Sequence, residues 1–155
     1  MNIAHIEYSI STKSLDIFVS GCKPPYCEGC CNLELIDFNN GTSVPRMIDT
    51  IYNYVNKYDK LIDNVFLVGG SFNHQTDVSL EWFFRNIKSI SSLYKKKVWL
   101  FAREDLKDIK DIFKEECHYI KCGEYIPALK CENNIKYGVK LATSNQVIYE
   151  KDVNY

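Results

Sequence analysis

Neither sign of charge is in excess: 19 Lys and Arg stand against 20 Asp and Glu, for a net charge of −1. That balance gives no reason to expect a polyanionic partner such as DNA. No apolar run approaches the length of a membrane span. The opening stretch, Met1–Tyr8, has no signal-peptide pattern. These absences lead to the expectation of a cytoplasmic chain with neither nucleic acid nor membrane as partner. Internal repeats, low-complexity tracts and linkers are also missing. With 155 residues and 46% hydrophobic content, the chain is expected to form one domain, residues 1–155, around its own core. Seven cysteines are an odd number, which argues against a complete disulfide framework. There is no second C-x2-C pair and no H-x3–5-H pair, so structural zinc lacks its usual fourth ligand.

Four of the cysteines fall within ten residues, in S-G-Cys22-K-P-P-Y-Cys27-E-G-Cys30-Cys31-N. Cys22, Cys27 and Cys30 form C-x4-C-x2-C. The loop carries Gly21, Pro24, Pro25 and Gly29, which allow the tight bends needed to point several thiols at one centre. Three sulfur ligands suit a soft metal or an iron–sulfur cluster. On a cubane they leave one iron without a protein ligand, and that iron is a place for chemistry. Cys31 adjoins Cys30 and could replace it, but the two do not easily join one site. Cys117, Cys122 and Cys131 are scattered and read as buried small hydrophobes. A secondary metal or redox site at Cys122 and Cys131 is the alternative.

The pattern along the chain alternates strand and helix. Ile3–Ile10 and Leu15–Val19 read as strands, the latter as a nearly continuous apolar run. Thr42 or Ser43 is expected to cap a helix with Pro45 in its first turn, its apolar positions running from Met47 to about Leu61. Val65–Val68 reads as a buried strand ending in Gly69-Gly70-Ser71. Asp77 is expected to cap a helix whose apolar face is Leu80, Phe83, Phe84, Ile87 and Ile90. Val98–Phe101 is a third buried strand. Asp105 is expected to cap a short helix through Phe113, and His118–Ile120 is a fourth strand. β-like pieces follow at Lys136–Leu141 and Val147–Tyr149.

Repeated β-α units imply an α/β fold with a mainly parallel sheet and right-handed crossovers. Ligands on such sheets lie at the carboxyl ends of the strands. The loops Cys22–Cys31 and Gly69–Asp77 both follow strands directly, so they are expected on one rim. Gly69-Gly70 alone is a weak signal, no more than a turn. On the same rim as the cysteines it reads as a place where backbone approaches a ligand closely. His74 reads as a solvated loop histidine, since no partner for it is visible. Phe83, Phe84 and the tyrosines at 52, 54 and 58 read as core and rim packing, and Lys95–Lys97 as a solvated turn.

F-V-S-G-C-x4-C-E-G-C-C-N resembles the cluster loop of small radical S-adenosylmethionine (SAM) enzymes, G-C-x3-C-x-G-C-x-N. The chain is most similar to the activating proteins of anaerobic (class III) ribonucleotide reductase. The early cysteine loop, L-V-G-G-S-F after the second buried strand and the late Ser144-Asn145-Gln146 carry the likeness, from about Leu15 to Tyr149. The resemblance implies a small partial (β/α) barrel of the radical SAM type. It implies a 4Fe–4S cluster on Cys22, Cys27 and Cys30, which are at once the metal ligands and the catalytic centre. It implies SAM beside that cluster, with Gly29, Cys31, Gly69, Gly70 and Ser71 as cofactor-binding candidates. The implied reaction is reductive cleavage of SAM, yielding a radical that takes hydrogen from a backbone glycine. The implied partners are a large glycyl-radical reductase subunit and a reducing donor such as a flavodoxin. Two features depart from the family: the first gap holds four residues, and Ser71 stands where an acidic residue is common. Two other readings remain, a radical SAM enzyme acting on another protein or peptide, and a non-catalytic iron–sulfur electron carrier.

Overall fold

A computed structural model describes residues 1–90 and 95–155. The chain opens with a hairpin, β1 (Asn2–Ser9) and β2 (Ser14–Val19). After the cysteine loop, a two-residue strand, β3 (Thr42–Ser43), leads into α1 (Val44–Tyr58). Then come β4 (Asn64–Gly69), α2 (Asp77–Ser89), β5 (Lys97–Phe101), α3 (Asp111–Glu116) and β6 (Tyr119–Cys122). A small hairpin, β7 (Ile135–Lys136) and β8 (Val139–Lys140), precedes β9 (Val147–Glu150). Among the described residues the main sheet has seven strands, in the order β3-β1-β2-β4-β5-β6-β9.

The architecture is mixed α/β with a mainly parallel centre. β2, β4, β5 and β6 run parallel, with Leu15 opposite Val65, Val65 opposite Val98, and Trp99 opposite Tyr119. Antiparallel strands flank this centre: β1 pairs β2, and β9 pairs β6. Those flanks depart from a simple run of β-α units.

Strand alternation divides the interior into two. Leu15, Ile17 and Val19, Val65 and Leu67, Leu100 and Ile120 face one way, toward Ile51 and Val55 of α1, Leu80, Phe83 and Phe84 of α2, and Phe113 of α3. Among the described residues all three α-helices pack on this face. The opposite face carries Phe66, Trp99 and Tyr119, with Val68 and Phe101 beside them. It is covered by Val139, Leu141 and Ile148. Trp99 stacks on Tyr119 with ring centroids 4.1 Å apart. This aromatic layer underlies the site described below.

Several local expectations need correction. Thr76, not Asp77, caps α2: its side chain accepts from Ser79 N. Asp77 is the first helical residue and pairs with Lys110 instead. The segment after Asp105 is not one helix but a 3-10 turn, Leu106–Asp108, followed by α3, with Ile109 buried between them. α1 ends at Tyr58, and Asp59–Leu61 tightens into a 3-10 turn. Ser43 does stand before α1, but its side chain makes no capping bond.

Candidate functional site

The cysteine loop leaves the end of β2 and is held against the end of β4 by backbone hydrogen bonds. Gly70 N donates to Val19 O at 2.7 Å, and Ser71 N to Gly21 O at 2.9 Å. Gly21 N and Cys22 N donate in turn to Leu35 O at 2.7 Å and Ile36 O at 3.0 Å. Three pieces of main chain therefore lie together, and only small residues permit it. A Cβ on Gly70 would stand 2.9 Å from Gly21 O and 3.0 Å from Leu35 O. Gly69 has a φ of +101°, and its Cβ would meet Val19 O at 2.7 Å. The glycine requirement at Gly70 is thus set by the cysteine loop, and that at Gly69 by the end of β2 and its positive φ. Ser71, next in line, is buried.

These loops border one cavity of about 550 Å³. Cys22, Cys27, Cys30 and Cys31 form one side, with Gly29 and Asn32. Gly69, Gly70 and Ser71 join them at the strand end, and Val68, Phe101 and Lys121 come from the sheet. Tyr125, Ala142 and Gln146 close the far side. The cysteine loop and the Gly-Gly strand end thus share one rim. Cys22, Cys27 and Cys30 are half-buried and Cys31 is exposed, all as free thiols. Cys117 and Cys122 are buried in the helix-side core, apart from this rim, and Cys131 is half-buried.

Among the described residues no three His, Cys, Asp or Glu side chains converge closely enough to hold a single metal ion. The cysteine thiols nevertheless interact: Cys22 feels the charges of both Cys27 and Cys30. Thiols that share a cavity without closing on one point suit a cluster, which offers separate irons to separate sulfurs. Burial pushes the Cys22 thiol up from its ordinary value, and the neighbouring Arg103 charge works against that. The donor chemistry therefore fits an iron–sulfur group.

Three groups in this region carry no signal in the cysteine motif. The first is Arg103, just past β5. Its Nη2 donates to Lys23 O at 2.8 Å, its Nη1 to Pro25 O, and its Nε to Glu104 Oε1 at 3.4 Å. Burial works against its charge, yet Cys27 and Glu104 hold its pKa above the ordinary value. The second is Glu104, whose Oε1 lies 2.9 Å from His74 Nε2. Burial would raise this carboxyl, but the His74 hydrogen bond, a backbone hydrogen bond and the adjacent charges bring it below its usual value. His74 is therefore not a free loop histidine. Its Nδ1 accepts from Lys23 N at 2.9 Å, so its Nε2 carries the proton given to Glu104. The third is Lys121 on β6, whose alternation turns it toward the cavity. Burial pushes it down to about 8, against the pull of Cys122, Cys27 and Glu104.

A family model described as a 4Fe-4S single cluster domain matches residues 13–148. The chain belongs to the 4Fe-4S single cluster domain family. No curated protein and no solved structure matches it. The matched span of this 4Fe-4S single cluster domain runs from the turn before β2 into β9, so it takes in the cysteine loop and every wall of the cavity. The late Ser-Asn-Gln segment gains a physical role in that wall. Gln146 Oε1 accepts from Ala142 N at 2.9 Å, and Asn145 Nδ2 donates to Glu124 O at 2.9 Å. Together they hold the turn that presents Tyr125. No helix among the described residues is long and apolar enough to cross a membrane.

Proposed function

We propose that this chain is a radical SAM activase for an anaerobic ribonucleotide reductase. In this reading Cys22, Cys27 and Cys30 hold the 4Fe–4S cluster, with SAM bound beside it toward Gly29, Cys31 and Gly69–Ser71. One observation carries the reading. Three thiols and the Gly-Gly strand end border a single cavity of about 550 Å³, a volume suited to a small-molecule site. The sheet with helices on one face is then an opened (β/α) barrel, one domain over residues 1–155, working in the cytoplasm.

Held by Cys22, Cys27 and Cys30, with SAM beside it, the cluster would supply one-electron reductive cleavage of SAM and so hydrogen-atom abstraction from the partner's glycine. The protein's share is binding and shelter. Arg103 and Lys121 bring positive charge to a cavity that receives a thiolate-ligated cluster and the carboxylate of SAM. Val68 and Phe101 line it with apolar surface that excludes water. Tyr26, Leu33, Ile126 and Leu129 are exposed on the loops that border it, an apolar rim for a partner's loop. The reductase is the proposed partner, and a flavodoxin-type protein the electron source.

A second reading rests on Cys31. It borders the same cavity, and as a fourth ligand it would complete the cluster and make the chain an electron carrier. One experiment separates the two. Anaerobically reconstituted protein is mixed with reductant, SAM and the cognate reductase, and the frozen sample is read by electron paramagnetic resonance. A glycine-centred doublet on the reductase, absent in Cys27→Ala, is the expected result. SAM cleavage without that doublet would redirect the activity to another protein or peptide. A stable redox-active cluster with no SAM cleavage would leave the electron carrier.

A further inference from the structure

The K-P-P-Y gap between Cys22 and Cys27 holds no helix or strand of its own. Something else must hold it, because the two cysteines need fixed directions to share a ligand. The structure supplies a closed ring of polar contacts around Lys23. Its N–H donates to His74 Nδ1 at 2.9 Å, and its carbonyl accepts from Arg103 Nη2 at 2.8 Å. His74 Nε2 and Arg103 Nε both meet the same oxygen, Glu104 Oε1, at 2.9 and 3.4 Å. Arg103 Nη1 reaches two residues further to Pro25 O, and Arg103 borders the same cavity as Cys22, Cys27 and Cys30. All three guanidinium nitrogens are thus engaged, on three groups. His74, Arg103 and Glu104 side chains are each less than a fifth exposed, so solvent screens these contacts little. Arg103 and Glu104 come from the end of β5 and His74 from the loop after β4. The ring therefore ties the cysteine loop to two strand ends at once.

We infer that Arg103 is the positioning residue of the cysteine loop and that its charge sets the redox poise of the cluster held there. The inference rests on the cluster reading above, not on SAM or on any partner. The fork fixes the Lys23 and Pro25 carbonyls, which aims Cys22 and Cys27. The guanidinium borders the cavity that Cys22, Cys27 and Cys30 line, where negative charge increases when a cluster takes up one electron from an external reductant. A fixed cation there favours the reduced state.

The test uses the full chain, reconstituted anaerobically with iron and sulfide, as wild type, Arg103→Lys and Arg103→Gln. The midpoint potential is read in a dithionite titration, and iron is counted per chain. Arg103→Lys keeps the charge and loses the fork. It should take up less cluster, with a potential near that of wild type. Arg103→Gln loses the charge, and its reduced-to-oxidised ratio at a given poise should fall about tenfold, a shift of about 59 mV for one electron. Full cluster content in Arg103→Gln at an unchanged potential would overturn the inference. If Arg103→Gln holds no cluster, hydrogen exchange of the peptide spanning residues 22–28 in metal-free protein decides. Exchange at least tenfold faster than in wild type supports the clamp, and unchanged exchange overturns it. No iron uptake by the wild type would instead refute the cluster reading, a separate and recognisable failure.

Discussion

Replacing Lys121 with methionine is expected to stabilise the metal-free protein by about 2 kcal/mol at pH 7. Lys121 points from β6 into the cavity, and burial lowers it from 10.5 to about 8. At about 1.36 kcal/mol per pH unit, holding the amine charged in the folded chain costs roughly 3 kcal/mol. Methionine fills similar space without that cost. It also loses the bond from Lys121 Nζ to Gly123 O, 2.7 Å long, worth about 1 kcal/mol. Gly123 O keeps a second donor in Gln146 Nε2 at 3.4 Å, so it is not left bare. The sign with pH follows from linkage. Below pH 8 the amine is charged in both the folded and the unfolded chain, and the whole penalty is present. Between about 8 and 10.5 the folded chain gives up its proton first, so wild type gains stability relative to the variant. Above that window the amine is neutral in both states, and the variant should be the weaker by the lost hydrogen bond alone. Urea denaturation of both proteins at pH 7 and pH 10, under reducing conditions, reads this directly. The difference between them cancels the buried thiol Cys117, which titrates with the opposite sign because burial raises it. A variant less stable than wild type at pH 7 would refute the reasoning, because pairing and not burial would then govern this lysine.

Three further outcomes are expected. Single replacements Cys22→Ala, Cys27→Ala and Cys30→Ala should each abolish stable 4Fe–4S uptake while Cys31→Ala retains it; iron per chain after anaerobic reconstitution checks this, and the reverse result for Cys30 and Cys31 would exchange their roles. Gly70→Ala should destabilise by about 2 kcal/mol, since its Cβ meets main chain that cannot move aside; an unchanged denaturation midpoint would show that the three segments are looser than described. Thr76→Ala should cost about 1 kcal/mol as a lost helix cap, whereas Asp77→Ala loses a solvent-exposed ion pair with Lys110 and should cost well under that; the order of the two thermal midpoints decides.

The strands were legible because buried parallel strands are continuous apolar runs. Leu15–Val19, Val65–Val68 and Val98–Phe101 all lie within observed strands. The shared rim was legible for a topological reason: loops that follow parallel strands emerge on the same side. That rule extends to the ends of β5 and β6, where Arg103 and Gly123 lie, but neither carries a local motif to draw the eye. Lys121 was hidden for another reason. Its neighbours Ile120 and Cys122 face the helices, and only alternation across the sheet tells that it does not. The flanking strands β1 and β9 run antiparallel to β2 and β6, a pairing that no periodicity encodes. The Gly-Gly pair reads as a place of close backbone approach, and among protein groups the main chain it approaches is Val19 for Gly69 and Gly21 and Leu35 for Gly70. Thr76 and Asp77 both satisfy the compositional rule for a helix cap, and one residue of phase separates them.

The two faces of the sheet do not arrive together. By the time Cys122 leaves the ribosome, every residue of the three helices and of the four parallel strands has been made, and the helix-side core can close. The cover of the other face, Val139, Leu141 and Ile148, follows, along with Ala142 and Gln146 of the cavity wall. The cavity is therefore finished last, by a segment whose strands β7 and β8 pair with each other and not with the main sheet. The same segment is the natural place for the folded protein to breathe. A brief lifting of residues 123–146 would widen the access of solvent and oxygen to the half-buried Cys22, Cys27 and Cys30 while the helical core stays shut. Lifetime in air and resistance to denaturant are then separate properties of this chain, governed by different stretches of it.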